Sequence, residues 1–171
     1  MTVEIRPLQP DDDRTAFDSG DPALDLYFQR YAGQNQFRHH IGVTYVAVEA
    51  AVILGFLTVS PAALDAEDLP SGRKMPPYPI PVLRIARLAV DTSARSRGLG
   101  RALLRFAIEL AERMRADVGC VGVLVDAKPE ATPFYERFGF VPMAAVEGML
   151  RLHPAPTPMY LPLGSVPRDA R

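Results

Sequence analysis

Apolar positions along the chain recur with two periods, near 3.6 and near 2, and the changes of period mark the elements. Glu4 to Pro7 reads as a short opening strand, followed by an Asp-rich turn. Asp21-Pro22 is a helix start, because Asp accepts from the free amides and Pro is tolerated at the first helical position. Leu24, Phe28 and Tyr31 follow at helical spacing and predict a helix from about Pro22 to Ala32, with a polar segment from Gly33 to Gly42 after it. Val43 to Glu49 and Val52 to Ser60 are β-branched, aromatic-rich runs a turn apart, which predict a hairpin. Pro61 to Pro81, studded with proline, predicts a long loop, and loops of that length are usually functional or mobile.

Val82 to Val90 returns to a strand, and Gly98 opens a helix with Leu99, Leu103, Phe106, Leu110 and Met114 on one stripe. Val121 to Ala127 is a continuous apolar strand of the kind buried on both faces. Pro129 to Phe138 predicts a short helix, and Gly139 suits a left-handed cap at its end. Strands near Gly148 to Leu152 and Pro158 to Leu163 complete the sheet, with a frayed tail over residues 164–171. The order is strands, then strand–helix–strand–helix–strand. It predicts one α/β domain over residues 1–163, a mixed sheet covered by helices.

A chain of 171 residues can bury such a core without metal or disulfide staples. Cys120 is the lone cysteine, set in an apolar strand with no neighbouring base, so it reads as a buried structural residue. No apolar run reaches the roughly 18 residues of a membrane span, and the N-terminus carries acid where a signal peptide carries base. A cytoplasmic location without a membrane partner is the expectation. His39 and His40 read as exposed loop residues, and no set of side chains has metal-ligand spacing.

Net charge is −1, but its distribution is uneven. Between Met1 and Gln29, Glu4, Asp11, Asp12, Asp13, Asp18, Asp21 and Asp25 face only Arg6 and Arg14. Between Ser71 and Ala107, Arg73, Lys74, Arg84, Arg87, Arg95, Arg97, Arg101 and Arg105 face only Asp91. The basic middle predicts an anionic ligand.

The chemistry concentrates in the segment from Arg87 to Arg101, where a strand ends at Asp91 and an amphipathic helix begins at the glycines. Gly98 and Gly100 lack Cβ and let the backbone approach a bulky anion. Free amides at the helix start point at that anion and the helix dipole favours it. Arg95, Arg97 and Arg101 crowd the same turn and supply charge-assisted bonds. The dinucleotide fingerprint needs a third glycine at a spacing absent here, and the Walker loop needs Gly-Lys-Ser/Thr. A plain strand–helix turn, with glycines that only aid packing, is the alternative.

A second motif, Ala131-Thr132-Pro133-Phe134-Tyr135-Glu136-Arg137-Phe138-Gly139-Phe140, follows the next buried strand. Together the two motifs resemble the GNAT acetyltransferases over about Val82 to Val141. In that family an Arg/Gln-x-x-Gly-x-Gly/Ala loop holds the coenzyme A pyrophosphate. The resemblance implies acetyl-CoA as cofactor, held by Arg95, Arg97, Gly98, Leu99, Gly100, Arg101 and Phe134, with pantetheine bonded to the backbone of Leu88, Ala89 and Val90. It implies Tyr135 as the general acid that protonates the departing thiolate. It also implies the GNAT fold: a mostly antiparallel sheet of about six or seven strands with a central parallel pair that splays apart. Phe134 and Phe138 share a face and fill the aromatic core, which leaves Tyr135 turned elsewhere. Two departures from the family pattern are Lys128, where an Asn is common, and Pro133, which delays the helix start.

Only the free-base amine attacks a thioester. Lysine, with a reference pKa near 10.4, needs a base or desolvation, whereas an α-amine near 7.7–8.0 is already substantially neutral. Many GNAT enzymes acting on lysine place a Glu on the strand leading to the phosphate loop, and Val82 to Val90 has no carboxylate. This favours an amine of low pKa, or a base supplied from Asp126, Glu49 or a histidine.

Phe17-Asp18-Ser19-Gly20, Ala23-Leu24-Asp25, and Pro79-Ile80-Pro81 before Ile85 to Asp91 resemble the acetyltransferase toxins of bacterial toxin–antitoxin pairs. That resemblance implies the α-amine of aminoacyl-tRNA as acceptor and a ribbon-helix-helix antitoxin as partner. Arg73, Lys74, Arg84 and Arg87 are then candidate contacts to tRNA phosphates. A homodimer is a further expectation. The alternatives are an acetyltransferase for a small-molecule or peptide amine, and a GNAT-fold module that binds acetyl-CoA without turnover.

Overall fold

A computed structural model describes residues 2–70, 74–143 and 156–164. The strands are β1 (Glu4–Pro7), β2 (Val43–Glu49), β3 (Val52–Leu64), β4 (Ile80–Val90), β5 (Gly122–Ala127), β6 (Val141–Pro142) and β7 (Thr157–Pro162). Their hydrogen-bonded order is β1-β2-β3-β4-β5-β7-β6, a seven-stranded mixed sheet. Pairing is antiparallel at β1/β2, β2/β3, β5/β7 and β6/β7, and parallel at β4/β5. The mostly antiparallel sheet with one parallel pair therefore stands. The fold divides into two compact units interleaved in sequence: Met1–Ser60 with Ala86–Ala107, and Pro61–Ile85 with Ile108–Arg171.

In the first unit, Phe28 stacks on Phe56 at 4.3 Å between ring centroids, and Phe17 meets both edge-on. Leu8, Tyr27, Ala32, Val46, Val48, Ile53 and Ala89 pack in the same core. Helix α1 (Pro22–Leu26) starts as expected, with Asp21 accepting from the amides of Ala23 and Leu24. It does not stop at residue 32. Wide π-type turns, Tyr27–Tyr31 and Gln34–His39, carry it to His40, whose left-handed φ of 53° closes it. Gly33, where the polar segment was expected to begin, is helical at φ −64°. Tertiary contacts override the weak local signal: the Gln36 amide donates to the Leu8 carbonyl and accepts from the Thr44 amide, and Arg14 donates to the Phe28 carbonyl. A Cβ at Gly33 would lie 3.1 Å from the Arg14 guanidinium, so the glycine makes room for it.

In the second unit, the parallel ladder runs from Leu83↔Val123 to Ile85↔Val125, while β5 pairs with β7 along its whole length. Leu64, Leu69, Ile80, Val82, Leu124 and Tyr160 form its core. The proline-rich stretch is less of a loop than its composition implies. β3 continues to Leu64, and a 3₁₀ turn, Ala66–Asp68, then brings Leu69 into the core. β6 is a two-residue strand that the sequence pattern did not reveal, and the strand expected at Gly148 to Leu152 lies outside the described residues, as does the tail beyond Gly164. Cys120 is buried, and its thiol donates to the Gly122 carbonyl at 3.3 Å; burial pushes the thiol up from its ordinary pKa.

Helix α2 (Leu99–Asp117) buries Leu103, Leu104, Ala107, Ile108 and Ala111. This line is rotated from the expected stripe, leaving Phe106, Leu110 and Met114 half-buried at its flank. Two small residues, Ala107 and Ala111, permit close approach along it, which a pattern of large apolar residues does not register.

Candidate active site

In the first unit, the turn between β4 and α2 is held by its own carboxylate and by the N-terminal segment. Asp91 accepts from the Ser93 amide and hydroxyl at 2.9 and 2.7 Å and from the Asp18 amide at 2.9 Å. Burial alone would raise the Asp91 pKa, but these donors outweigh it and hold the carboxyl below its usual range. The Thr92 amide donates to the Asp18 carbonyl at 2.8 Å, and Arg95 Nη2 donates to the Ser19 carbonyl at 2.8 Å. Ser19 is fixed in turn by Asp25, which accepts from its amide and its hydroxyl. Sequence reasoning missed this brace, although Asp18, Ser19 and Asp25 lie in the Phe17-to-Asp25 string.

Ser96 and Gly98 both adopt left-handed φ, 66° and 77°, at the entry to α2. A Cβ on Gly98 would meet nothing within 4 Å, so the backbone face there is open. The first helical bond is the Ala102 amide to the Gly98 carbonyl, which leaves the amides of Leu99, Gly100 and Arg101 outside the intrahelical ladder. The open backbone at Gly98, the helix start behind it and exposed Arg95, Arg97 and Arg101 suit a pyrophosphate. Arg97 also pairs with Glu49 at 2.8 Å, and that bond holds the Glu49 carboxyl below its ordinary range. Leu88, Ala89 and Val90 form the end of β4; Ala89 is buried in the Phe28–Phe56 core and its neighbours are half-buried.

In the second unit, a 3₁₀ turn, Pro129–Ala131, leads into helix α3 (Thr132–Glu136), with Pro133 accommodated in the first helical turn. Gly139, at φ 96°, reverses the chain, and the Phe140 amide returns to the Tyr135 carbonyl at 3.3 Å. This geometry corrects the expected side-chain arrangement. Tyr135 is not turned away from the aromatic core but is 5% exposed, with its ring edge-on to Phe134 at 5.1 Å and to Phe140 at 5.5 Å. Phe134, half-buried, also meets Phe138 at 5.6 Å. Burial, and then the Asp126 charge, push the Tyr135 phenol far above its ordinary pKa, so it keeps its proton at neutral pH.

The candidate acceptor contacts separate. Lys74 is exposed, and Arg73 lies outside the described residues. Arg84 faces Asp126 at 3.5 Å, with the two side chains 15% and 2% exposed. Arg87 stacks its guanidinium 3.6 Å from the centroid of Tyr27. Neither arginine is the free surface cation that phosphate contact calls for, because each is drawn inward by a partner that is distant in sequence. His39 and His40 are exposed, and Glu49 is engaged by Arg97. Among the described residues no group of three or more His, Cys, Asp or Glu can hold a metal, and no helix is long and apolar enough to cross a membrane.

Residues 40–142 match the family model described as an acetyltransferase (GNAT) domain. The chain belongs to the GNAT acetyltransferase family. A tRNA-acetylating toxin of Mycobacterium tuberculosis is 34% identical over 137 residues, which covers 79% of this chain and 82% of that protein. Among solved structures, AtaT complexed with acetyl-methionyl-tRNA superposes with a TM-score of 0.82 at 26% identity, covering 94% of this chain and 95% of that one. AtaTR bound with acetyl-CoA superposes with a TM-score of 0.77 at 27% identity, covering 94% and 93%. This GNAT enzyme is thus an N-acetyltransferase with acetyl-CoA as donor.

Proposed function

We propose that the enzyme acetylates the α-amine of aminoacyl-tRNA and acts as the toxin of a toxin–antitoxin pair. The observation that carries this reading is the likeness over four-fifths of the chain to a tRNA-acetylating toxin, at 34% identity. The structural likeness to AtaT in complex with acetyl-methionyl-tRNA supports it. β4 has no carboxylate along Ile80–Val90, which suits an acceptor whose amine is already substantially neutral.

In this reading Arg95, Arg97, Gly98, Leu99, Gly100 and Arg101 hold the coenzyme phosphates, the backbone of Leu88, Ala89 and Val90 holds the pantetheine, and Phe134 lies against the cofactor. When bound, acetyl-CoA supplies an acetyl group activated as a thioester. Tyr135 holds a proton at Oη for the departing sulfur. Arg73 and Lys74 contact tRNA phosphates. A ribbon-helix-helix antitoxin neutralises the toxin, which works in the cytoplasm as a homodimer.

The test is transfer of label from acetyl-CoA. Charged tRNA should accept it and uncharged tRNA should not. Rising salt should weaken the reaction steeply, because phosphate binding releases counterions. The double change Arg73→Ala with Lys74→Ala should raise KM for tRNA and spare KM for acetyl-CoA. Brisk acetylation of polyamines or amino-sugars, with no label on any charged tRNA, would overturn the reading in favour of a small amine.

A further inference from the structure

Two arginines of the turn that opens α2 are held in different ways. Arg97 Nη2 meets the Glu49 carboxylate at 2.8 Å, so its charge already has a match. Arg95 Nη2 donates at 2.8 Å to a neutral group, the Ser19 carbonyl. Among the described residues no carboxylate pairs with Arg95, and its side chain is exposed. One nitrogen of the guanidinium is thus fixed, while its positive charge and its other N–H donors are left for an anion.

The carbonyl that anchors Arg95 is itself held from outside the turn. Ser19 is 9% exposed, and Asp25 Oδ1 accepts from its amide at 2.9 Å and from its hydroxyl at 2.7 Å. Both bonds end on one oxygen, so what Ser19 requires of Asp25 is an acceptor at a fixed point. The Ser19 hydroxyl accepts in turn from the Asp21 amide at 3.2 Å, at the start of α1. On the other side, the Asp18 amide donates to Asp91 at 2.9 Å and the Asp18 carbonyl accepts from the Thr92 amide at 2.8 Å. The Ser19 carbonyl therefore has a defined place beside the turn that carries Arg95.

We propose that Asp25 is a positioning residue for the coenzyme: by fixing Ser19 it presets Arg95 for the coenzyme phosphates. This rests on the reading of Arg95 as a contact to those phosphates. The physical ground is entropic. A long exposed side chain samples many rotamers, and ordering it on an anion costs that freedom. A guanidinium already tethered at one nitrogen loses less of it when the anion arrives, so the tether raises affinity without touching the ligand. Three consequences separate this role from a purely structural one. The effect of Asp25 should vanish when Arg95 is absent, it should need an acceptor oxygen and not a charge, and it should be screened by salt.

The experiment is calorimetric titration of the full chain with acetyl-CoA, with thermal unfolding to verify that each variant is folded. Asp25→Ala should weaken binding by about five- to tenfold at low salt. Asp25→Asn, whose amide oxygen can accept both Ser19 bonds, should bring affinity back to within about twofold of native. The gap between Asp25→Ala and native should narrow between about 50 and 500 mM salt, because the weakened contact is ionic. In an Arg95→Met background the Asp25→Ala change should have no further effect on affinity. If Asp25→Ala does not fold, Ser19→Ala keeps the anchoring carbonyl and removes one of the two bonds that fix it. It should weaken binding by about two- to threefold, again only when Arg95 is present. Native affinity in folded Asp25→Ala, or losses that add in the Arg95→Met background or persist undiminished at high salt, would overturn the proposal and leave Arg95 as a phosphate contact. Native affinity in Arg95→Met would instead defeat the reading of Arg95, and the proposal with it, so the two failures are distinguishable.

Discussion

Arg95 reaches back to the carbonyl of Ser19 with a 2.8 Å hydrogen bond, which ties the N-terminal segment to the loop between β4 and α2. The bond depends on the glycine that follows. Gly20 sits at φ 85°, and a Cβ there would lie 2.9 Å from Arg95 Nη2. Gly20→Ala therefore combines left-handed backbone strain with displacement of the arginine. It should cost about 1–2 kcal/mol of stability, and acetyl-CoA affinity should fall several-fold as Arg95 loses its anchor. Thermal unfolding and calorimetry on the same preparation check both arms.

Gly100 lies in the first turn of α2, next to the open face at Gly98. Gly100→Glu brings a side chain and a negative charge to the amides that are to receive the pyrophosphate, while glutamate itself is a good helix former near a helix start. Folding should survive and acetyl-CoA binding should be lost. Unchanged calorimetric affinity in a folded variant would sink the assignment of this loop.

What the sequence discloses are features whose physics is local. Asp21 before Pro22, Gly139 after a short helix and the Gly98-x-Gly100 turn each carry a chemical requirement within a few residues, and each appears where expected. Gly33, where a polar segment was expected to begin, is instead helical and makes room for Arg14, nineteen positions earlier. The α2 stripe is displaced because Ala107 and Ala111 are buried for their smallness. Arg84 and Arg87 read as surface cations because nothing nearby in sequence announces Asp126 or Tyr27 as their partners. Tyr135 is identifiable by motif, but its burial depends on the chain reversal at Gly139 that brings Phe140 back to its ring.

Tyr160 supplies a pH test that is independent of catalysis. Its ring occupies the space beside Gly122 where a side chain would otherwise stand, and its hydroxyl donates to the Val121 carbonyl at 3.4 Å. Burial first, and then Cys120, push the phenol up from 10.0 to about 12. A folded-state pKa above the unfolded value means that the stabilisation is full below about pH 10 and is lost as pH rises toward 12. Tyr135 shifts in the same direction. Tyr160→Phe should thus make the alkaline decline in unfolding free energy shallower above pH 10, while costing about 0.5–1.5 kcal/mol near neutrality for the lost hydrogen bond. Urea titrations at a series of alkaline pH values measure the slope, and an unchanged slope would show that this phenol does not govern it.

Tyr135→Phe isolates the proton from the packing. The ring contacts with Phe134 and Phe140 are made by carbon and survive the change, so the fold of α3 should be retained. Removing a hydroxyl that carries no charge at neutral pH should also leave acetyl-CoA affinity within a few-fold. The loss should fall on kcat, by roughly ten- to a thousand-fold, the scale of losing general-acid assistance to a leaving group. The size of the deficit should vary with the thiol. An acetyl donor whose thiol is more acidic needs less protonation as it departs, so its rate should fall less than that of acetyl-CoA. An equal loss for both donors would assign the phenol to orientation of the acceptor. Full activity with both would mean that the sulfur leaves without a proton from Tyr135.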